Sequence, residues 1–231
     1  MKTTPPVESP YDGPSRRDRI KIAGRFIDLV RPGDPDRLLD HPEVAAWNQA
    51  DDYMPYWAYL WPGAFLLGEA VAAGSWPADT SALEIGCGLG LPGLVAVAIG
   101  LEVRFTDHDR TPLGFIERSA AANGFDPSRY STDRLDWRSP PAGQYSLILG
   151  ADVTYEERLV PLVAGVLAAM LAVDGQALIS DPNRRATEGF GRALAARGLA
   201  SEARAAETEA DELGPVRGTI HRVWRPGPTL G

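Results

Sequence analysis

The sequence predicts an α/β fold in which helices cover both faces of a mostly parallel β-sheet, and three observations lead to that prediction. Short apolar runs of strand length alternate with longer helical segments from residue 81 onward. A glycine-rich turn joins the first such run to the first such helix. The 231 residues suffice for one domain with a full core. Alternation of this kind implies right-handed crossovers between parallel strands.

The predicted elements of this domain follow one another along the chain. We expect strands at residues 82–85, 102–106, 130–135, 145–150, 176–180 and 217–224. We expect helices at residues 62–73, 92–99, 112–123, 157–171 and 186–197. Residues 199–208 precede the last strand without a clear helix between them, so the two segments are expected to form an antiparallel pair at the sheet edge.

The residues before this domain are predicted to form a tail and a cap. Residues 1–18 begin polar and proline-rich, without the apolar stretch of a signal peptide, and are expected to be a flexible tail. Residues 19–61 are expected to form an N-terminal cap with a strand pair around Gly24, a short helix at 37–49 and an aromatic segment at 53–61. The aromatic segment is either packing within the cap or the wall of a substrate pocket.

Composition excludes several classes of function. The net charge of −8 disfavours a nucleic-acid partner, since phosphate binding needs a basic surface. One cysteine, Cys87, rules out an internal disulfide and favours a reducing, cytoplasmic compartment. No apolar run has membrane-spanning length, and three scattered histidines argue against a structural zinc site. With only Lys2 and Lys21, the chain lacks the lysine of a phosphate-binding P-loop or a Schiff base.

The strongest motif is the glycine-rich segment at residues 82–94, ALEIGCGLGLPGL. Its glycines allow a tight turn and a close backbone approach to a ligand. The helix that begins near Pro92 presents free N–H groups and a positive dipole end to an anionic group. Glu84 is a charged residue in an apolar strand, which is costly without a partner. It either organises the loop, meets an ammonium group through water, or pairs with an arginine.

Two cofactor classes compete for this loop. Residues 88–93 also fit the dinucleotide fingerprint G-x-G-x-x-G, and Asp107 at the end of the next strand suits the ribose of either an adenosyl or a nicotinamide cofactor. The strand enters the turn at Gly86, which favours the register E-x-G-x-G-x-G starting at Glu84. There is no Tyr-x-x-x-Lys motif. An NAD(P)-dependent oxidoreductase is therefore the second interpretation.

Four segments together resemble a known family. Residues 84–90, 106–107, 135–137 and 152–155 (Asp-Val-Thr-Tyr) resemble class I, seven-β-strand S-adenosylmethionine-dependent methyltransferases, among them the D-x-x-Y protein lysine methyltransferases. Residues 56–63 and 180–184 are similar to the subgroup that modifies the β-subunit of electron transfer flavoprotein. The resemblance implies a Rossmann-like seven-stranded sheet, a methyltransferase domain at residues 62–231 and S-adenosylmethionine as cofactor. It also implies a lysine-presenting protein as substrate; a small amine, or cofactor binding without catalysis, are the alternatives.

The resemblance also implies roles for individual residues. The implied cofactor-binding residues are Trp61, Glu84, Gly86, Cys87, Gly88, Gly90, Asp107, His108, Asp136, Trp137 and Ala151. Asp107 would hold the ribose hydroxyls, and Asp136 with Trp137 would flank the adenine. Trp137 is either an adenine contact or core packing, and His108 is either an adenine contact or an exposed loop residue. Cys87 would contribute its backbone, since no nearby base activates its thiol.

Asp152 and Tyr155 are the predicted catalytic residues. They follow the apolar strand at 145–150, so they lie at the ligand-facing edge of the sheet. Methyl transfer from a sulfonium needs a neutral nucleophile held in line, whereas a free lysine, with a pKa of about 10.4, is protonated at neutral pH. A carboxylate and a phenol can receive the hydrogens of the amine and direct its lone pair. The alternative is a loop acid beside a packed tyrosine.

Overall fold

The computed structural model describes residues 8–210 and 213–227 of the chain. These residues contain nine strands and six α-helices. The strands are β1 (Ser15–Ile22), β2 (Arg25–Pro32), β3 (Ser81–Ile85), β4 (Glu102–Asp107), β5 (Tyr130–Arg134), β6 (Tyr145–Ala151), β7 (Leu171–Asp181), β8 (Ala200–Ala210) and β9 (Gly214–Trp224). The helices are α1 (Pro42–Asp51), α2 (Pro62–Ala73), α3 (Leu91–Ala98), α4 (Thr111–Ala122), α5 (Val160–Met170) and α6 (Phe190–Ala195).

Seven of the strands form one sheet in the order β5-β4-β3-β6-β7-β9-β8. The first five of these pair in parallel, and β9 runs antiparallel to both β7 and β8. The predicted mostly parallel sheet is confirmed, as is the antiparallel pair at its edge. Chain order reverses between β3 and β6, and ligands of open α/β sheets bind at the carboxyl ends of the strands beside such a reversal.

Helices cover both faces of this sheet, as predicted. Helices α2, α3 and α4 bury Leu66, Leu94 and Ile116 on one face, together with the β1–β2 hairpin. Helices α5 and α6 bury Leu167 and Leu194 on the other. These side chains are almost completely removed from water, and that burial is the main favourable contribution to the free energy of folding.

The N-terminal hairpin extends further toward the start of the chain than predicted. Strands β1 and β2 pair around Ala23 and Gly24, which both have positive φ, as a two-residue primed turn requires. The predicted strand pair is therefore confirmed. The predicted flexible tail is wrong for residues 9–18, because β1 begins at Ser15 and the Ser9 amide donates to Asp109 Oδ1 at 3.1 Å. Residues 1–7 lie outside the described residues.

Several helix boundaries differ from the predicted ones. The helix predicted at 37–49 is a 3₁₀ turn at Pro35–Leu38 followed by α1, which starts at Pro42 with His41 as its cap. The helices predicted at 157–171 and 186–197 are shortened to α5 and α6. Proline fits the first turn of a helix because its missing N–H has no intrahelical partner there, so Pro42 and Pro161 mark the starts of α1 and α5.

Substitution of Gly93 tests the contact between α3 and the sheet. A Cβ at this position would overlap the Glu84 carboxylate and the Phe105 ring. We expect Gly93→Ala to lower the free energy of unfolding by about 1–3 kcal/mol, the usual cost of overpacking, as measured by urea denaturation. Gly114→Ala on the exposed side of α4 is the matched control: nothing lies within 4 Å of its Cβ, so the variant should gain about 0.5–1 kcal/mol. A Gly93→Ala protein as stable as wild type would contradict the packing described.

Candidate functional site

A cavity of about 720 Å³ opens at the carboxyl ends of β3, β4 and β6, where the chain order of the sheet reverses. Five stretches of chain and three further residues line it. They are the aromatic segment from Asp52 to Trp61, the glycine loop from Gly86 to Pro92, residues 107–109, residues 135–138, the stretch from Ala151 to Leu159, and Ala64, Leu162 and Arg184. The location is the one that the fold provides for a ligand.

The glycine loop adopts a backbone conformation that side chains disfavour. Gly86, Gly88 and Gly90 have φ values of 57°, 49° and 71°. A Cβ on Gly86 would lie 2.8 Å from the Trp137 ring, so this residue must be glycine for a second reason. The Cys87 amide donates to the Thr106 carbonyl at 2.9 Å, which ties the loop to β4. Burial raises the pKa of the Cys87 thiol, in agreement with a backbone role for this residue.

Glu84 lies beneath this loop and does not reach the cavity wall. Its side chain is 1% exposed, and Oε2 accepts a hydrogen bond of 3.0 Å from the Gly93 amide in the first turn of α3. Burial raises the pKa of this carboxyl to about 8. Glu84 is therefore not among the residues that line the cavity, and its contact with a cofactor stays a prediction. Its geometry matches the interpretation in which it organises the loop.

Asp107 and His108 lie side by side on the cavity wall at the end of β4. The carboxylate of Asp107 accepts hydrogen bonds from the amides of Gly88, at 2.9 Å, and Asp109, at 3.0 Å. Burial raises the pKa of Asp107 to about 6. His108 is half-buried rather than an exposed loop residue, and its Nε2 has no hydrogen-bond partner among the described residues. That nitrogen is itself buried, so its hydrogen-bonding capacity is unsatisfied among these residues.

Asp136 and Trp137 follow β5 and line the cavity opposite the aromatic segment. Arg138 donates to both carboxylate oxygens of Asp136, from Nε at 2.8 Å and from NH2 at 2.6 Å, and this contact lowers the pKa of Asp136 to about 2. Trp137 packs against the core under α5 and also faces the cavity. Core packing and ligand contact are thus compatible for this ring.

Three aromatic rings meet on the other side of the cavity. The centroid of Tyr56 lies 5.8 Å from that of Trp61 and 5.3 Å from that of Tyr155, both in edge-to-face arrangements. The indole of Trp61 donates to the Tyr56 carbonyl at 2.7 Å. The aromatic segment therefore serves both predicted purposes, because it packs on itself and forms a pocket wall.

Asp152 connects the end of β6 to the start of α2. It is 7% exposed and has a positive φ of 55°. Its Oδ2 accepts a hydrogen bond of 2.7 Å from the Gly63 amide, one of the donors that the first turn of a helix leaves unpaired. Arg184 NH2 lies 2.9 Å from Oδ1. Burial raises the pKa of Asp152, and Arg184 partly opposes that effect.

The two predicted catalytic residues, Asp152 and Tyr155, open onto the same cavity as the glycine loop. Tyr155 is half-buried against Tyr56, and burial raises the pKa of its hydroxyl. Of the predicted cofactor residues, all except Glu84 line this cavity, including Ala151 at the end of β6. Within the described parts of the chain, no group of His, Cys, Asp or Glu side chains is arranged to hold a metal ion.

The sequence analysis did not predict one hydrogen-bonded cluster at the cavity, which centres on Asp109. Asp109 is buried and accepts hydrogen bonds from the Ser9 hydroxyl and, at 2.7 Å, from the Tyr53 hydroxyl. The Trp57 indole donates to Ser9 Oγ at 3.0 Å. Asp109 Oδ1 also accepts from the Thr111 amide at 2.8 Å, just before α4. An aspartate two residues before a helix start is typical of an Asx-turn, and this signal could have identified Asp109; nothing in the sequence indicates Ser9.

Comparison with known proteins gives one family and several relatives. A family model described as lysine methyltransferase matches residues 60–190. Protein N-lysine methyltransferase METTL21A of Mus musculus is 34% identical over 108 residues, which are 43% of this chain and 49% of the relative. EEF1A lysine methyltransferase 3 of the same organism is 31% identical over 105 residues, 44% of this chain and 45% of the relative. The chain spans about half the length of the curated relatives it matches.

Solved structures share the fold. A TehB-like SAM-dependent methyltransferase from Corynebacterium glutamicum is 18% identical, with a TM-score of 0.53 over 73% of this chain and 89% of that one. The magnesium protoporphyrin IX methyltransferase of Synechocystis, solved with bound SAH, is 14% identical, with a TM-score of 0.54 over 68% and 80%. At these identities the likeness supports a Rossmann-like fold and nothing finer. Within the described residues, every helix is too short or too polar to cross a bilayer.

The pKa of Glu84 generates a prediction about stability and pH. The folded protein keeps this proton up to about pH 8, whereas an unfolded chain loses it near 4.5, so the folded state binds more protons between these values. The free energy of unfolding of wild type should therefore fall as pH rises through this window. The reference is Glu84→Gln, which cannot titrate but keeps an acceptor for the Gly93 amide, so the difference in unfolding free energy between the two proteins should change with pH. Urea denaturation from about pH 5 to pH 9 checks this. A wild-type-to-variant difference that does not change with pH would contradict it.

Proposed function

Because the chain belongs to the lysine methyltransferase family, we propose that it transfers the methyl group of S-adenosylmethionine to the side-chain amine of a lysine in a protein. One observation carries the proposal: a single cavity joins the glycine loop to Asp152, Tyr155 and the aromatic rings around them. A cofactor held at the loop and an amine held at Asp152 would then share one space, as in-line transfer requires.

The residues of the cavity fit an adenosyl cofactor. The volume of about 720 Å³ is in the range of small-molecule sites. The positive φ values of the loop glycines let the backbone turn tightly at the cavity wall, and we propose that this turn holds the methionine part. The Asp107 carboxylate is placed for ribose hydroxyls, while Trp137 and the unpartnered Nε2 of His108 suit the adenine. The other residues proposed to border the cofactor are Trp61, Gly86, Cys87, Gly88, Gly90, Asp136 and Ala151.

The part of the cavity around Asp152 and Tyr155, the acceptor side, would orient the amine of the substrate and compensate its charge. When bound, the cofactor would supply a methyl group on a positively charged sulfur for transfer to the lone pair of the amine. Asp152 Oδ1 and the Tyr155 hydroxyl would receive hydrogens of the amine and so direct its lone pair, and both residues line the cavity. The faces of Tyr56 and Trp61 exclude water and stabilise a cationic head group.

A protein is the substrate class that the relatives favour, since METTL21A and EEF1A lysine methyltransferase 3 are both named for lysine methylation. A small amine is the alternative acceptor, and action on the β-subunit of electron transfer flavoprotein stays a prediction from sequence resemblance. We further propose a cytoplasmic location, which a single buried free thiol favours. The net charge of −8 speaks against a nucleic-acid substrate.

Cofactor identity can be tested by calorimetry. We expect S-adenosylmethionine and S-adenosylhomocysteine to bind, and NAD not to bind. Asp107→Ala should weaken S-adenosylhomocysteine binding by about 1–3 kcal/mol, because charge-assisted hydrogen bonds to the ribose are lost. Tight binding of NAD alone would favour the oxidoreductase interpretation, and unchanged affinity in a folded Asp107→Ala protein would remove this residue from the site.

Methyl transfer can be tested with tritium-labelled cofactor in a host lysate, followed by mass spectrometry of the labelled proteins. We expect a lysine acceptor. Asp152→Asn keeps an oxygen for the Gly63 amide but removes the charge, so it should lower turnover by about a hundredfold or more while cofactor affinity stays the same. Tyr155→Phe keeps the ring and should lose less.

Calorimetry with S-adenosylhomocysteine is the control for both variants, since it reports an intact cofactor site. Full turnover by Asp152→Asn on the identified acceptor would exclude the acceptor-side mechanism. Cofactor binding without transfer to any protein, peptide or amine would instead favour the non-catalytic interpretation.

A further inference from the structure

Arg184 lines the cavity beside Asp152, and its guanidinium stands where a substrate cation would bind. It follows β7 in the segment 180–184. The proposed function uses Asp152 and the aromatic rings but assigns no role to this guanidinium.

The two oxygens of Asp152 have different surroundings. Oδ2 is committed to the Gly63 amide, and a Cβ on Gly63 would overlap it, so this contact belongs to the fold. Oδ1 is buried and accepts no hydrogen bond of good geometry among the described residues, although Arg184 NH2 lies 2.9 Å away. The contact with Arg184 is thus an ion pair that leaves a lone pair of Oδ1 for a better-aligned donor.

The Trp61 ring is the second group, besides Asp152 Oδ1, that can bind a cation here. The guanidinium carbon of Arg184 lies 5.4 Å from the centroid of the Trp61 ring, within the range of a cation–π contact. A buried carboxylate oxygen and an aromatic face are also what an alkylammonium group needs. The guanidinium therefore occupies a position whose chemistry suits the side chain of lysine.

Hydrogen bonds hold the backbone at Arg184, while its side chain is partly exposed to solvent. Its amide donates to Asp181 Oδ2 at 2.9 Å, and the preceding Asn183 accepts from the Thr219 hydroxyl at 2.8 Å. The Arg184 side chain is 30% exposed, against 6% for that of Asp152. The guanidinium can consequently turn toward solvent without any change in β7.

We propose that Asp152 Oδ1 and the Trp61 ring form the docking position for the cationic amine of the acceptor, and that Arg184 fills this position until the acceptor displaces it. This inference rests on the proposed function. A buried carboxylate without a counter-ion is costly, and an exchange of one cation for another avoids that state. A neutral acceptor could not make this exchange, so Arg184 makes the site selective for amines that arrive with positive charge.

The test measures binding of n-butylammonium chloride, a lysine side-chain analogue, to the full chain saturated with S-adenosylhomocysteine. In Arg184→Ala and Arg184→Gln the competing cation is absent, and we expect binding about tenfold tighter than in wild type. Arg185→Ala is the matched control, because it removes the same charge from the exposed neighbouring residue and should behave as wild type. The double variant Asp152→Asn, Arg184→Gln should bind butylammonium no more tightly than wild type does.

Arg184→Gln keeps most of the side chain, so it guards against misfolding of the alanine variant, and S-adenosylhomocysteine binding verifies both proteins. Butylammonium binding equal to wild type in both Arg184 variants would overturn the docking position. An equal gain in Arg185→Ala would also overturn it, because the effect would then be one of general charge. The assay needs no turnover. If the two Arg184 variants bind butylammonium no more tightly than wild type while lysines in the lysate are methylated, only this inference is refuted. If they bind it more tightly but no methylation is found, only the proposed function is refuted.

Discussion

Three acidic side chains at the ends of adjacent strands are buried or half-buried, and the carboxyl group of each accepts a hydrogen bond from the amide of a glycine. Glu84 accepts from Gly93, Asp107 from Gly88 and Asp152 from Gly63, at 2.7 to 3.0 Å. Burial of a carboxylate is tolerable only when hydrogen bonds compensate it, and the glycines allow the approach because a Cβ at Gly63 or Gly93 would overlap the acceptor. The starts of α2 and α3 and the shape of the glycine loop all depend on these contacts.

The same contacts prepare the cavity for its chemistry. Glu84 fixes the loop from beneath, so the loop backbone faces the cavity without a charged side chain of its own. Asp152 holds the start of α2 with one oxygen, and Trp61 is the residue that caps this helix. A site built in this way needs little rearrangement on ligand binding, because the groups that would contact the ligand are already oriented by the fold.

Much of this architecture could be predicted from local pattern. The alternation of strands and helices, the hairpin around Gly24 and the antiparallel edge pair all follow from periodicity within short windows. Boundaries were less accurate where a capping residue or proline decides the first turn, as at Pro42. The role of Glu84 was open because an acid in an apolar strand has several possible partners, and nothing local identifies the Gly93 amide.

By itself the sequence determined the fold class, the glycine loop and the set of residues that meet at the strand ends, since these depend on spacing along the chain and on parallel strands ending at one edge. Only the tertiary structure decided which polar groups pair. Ser9 lies 100 residues from Asp109, and Gly63 lies 89 residues from Asp152. Such partners are brought together by helix packing on the sheet, and a buried polar group bonds with whatever donor that packing places within reach, so no local pattern encodes the choice.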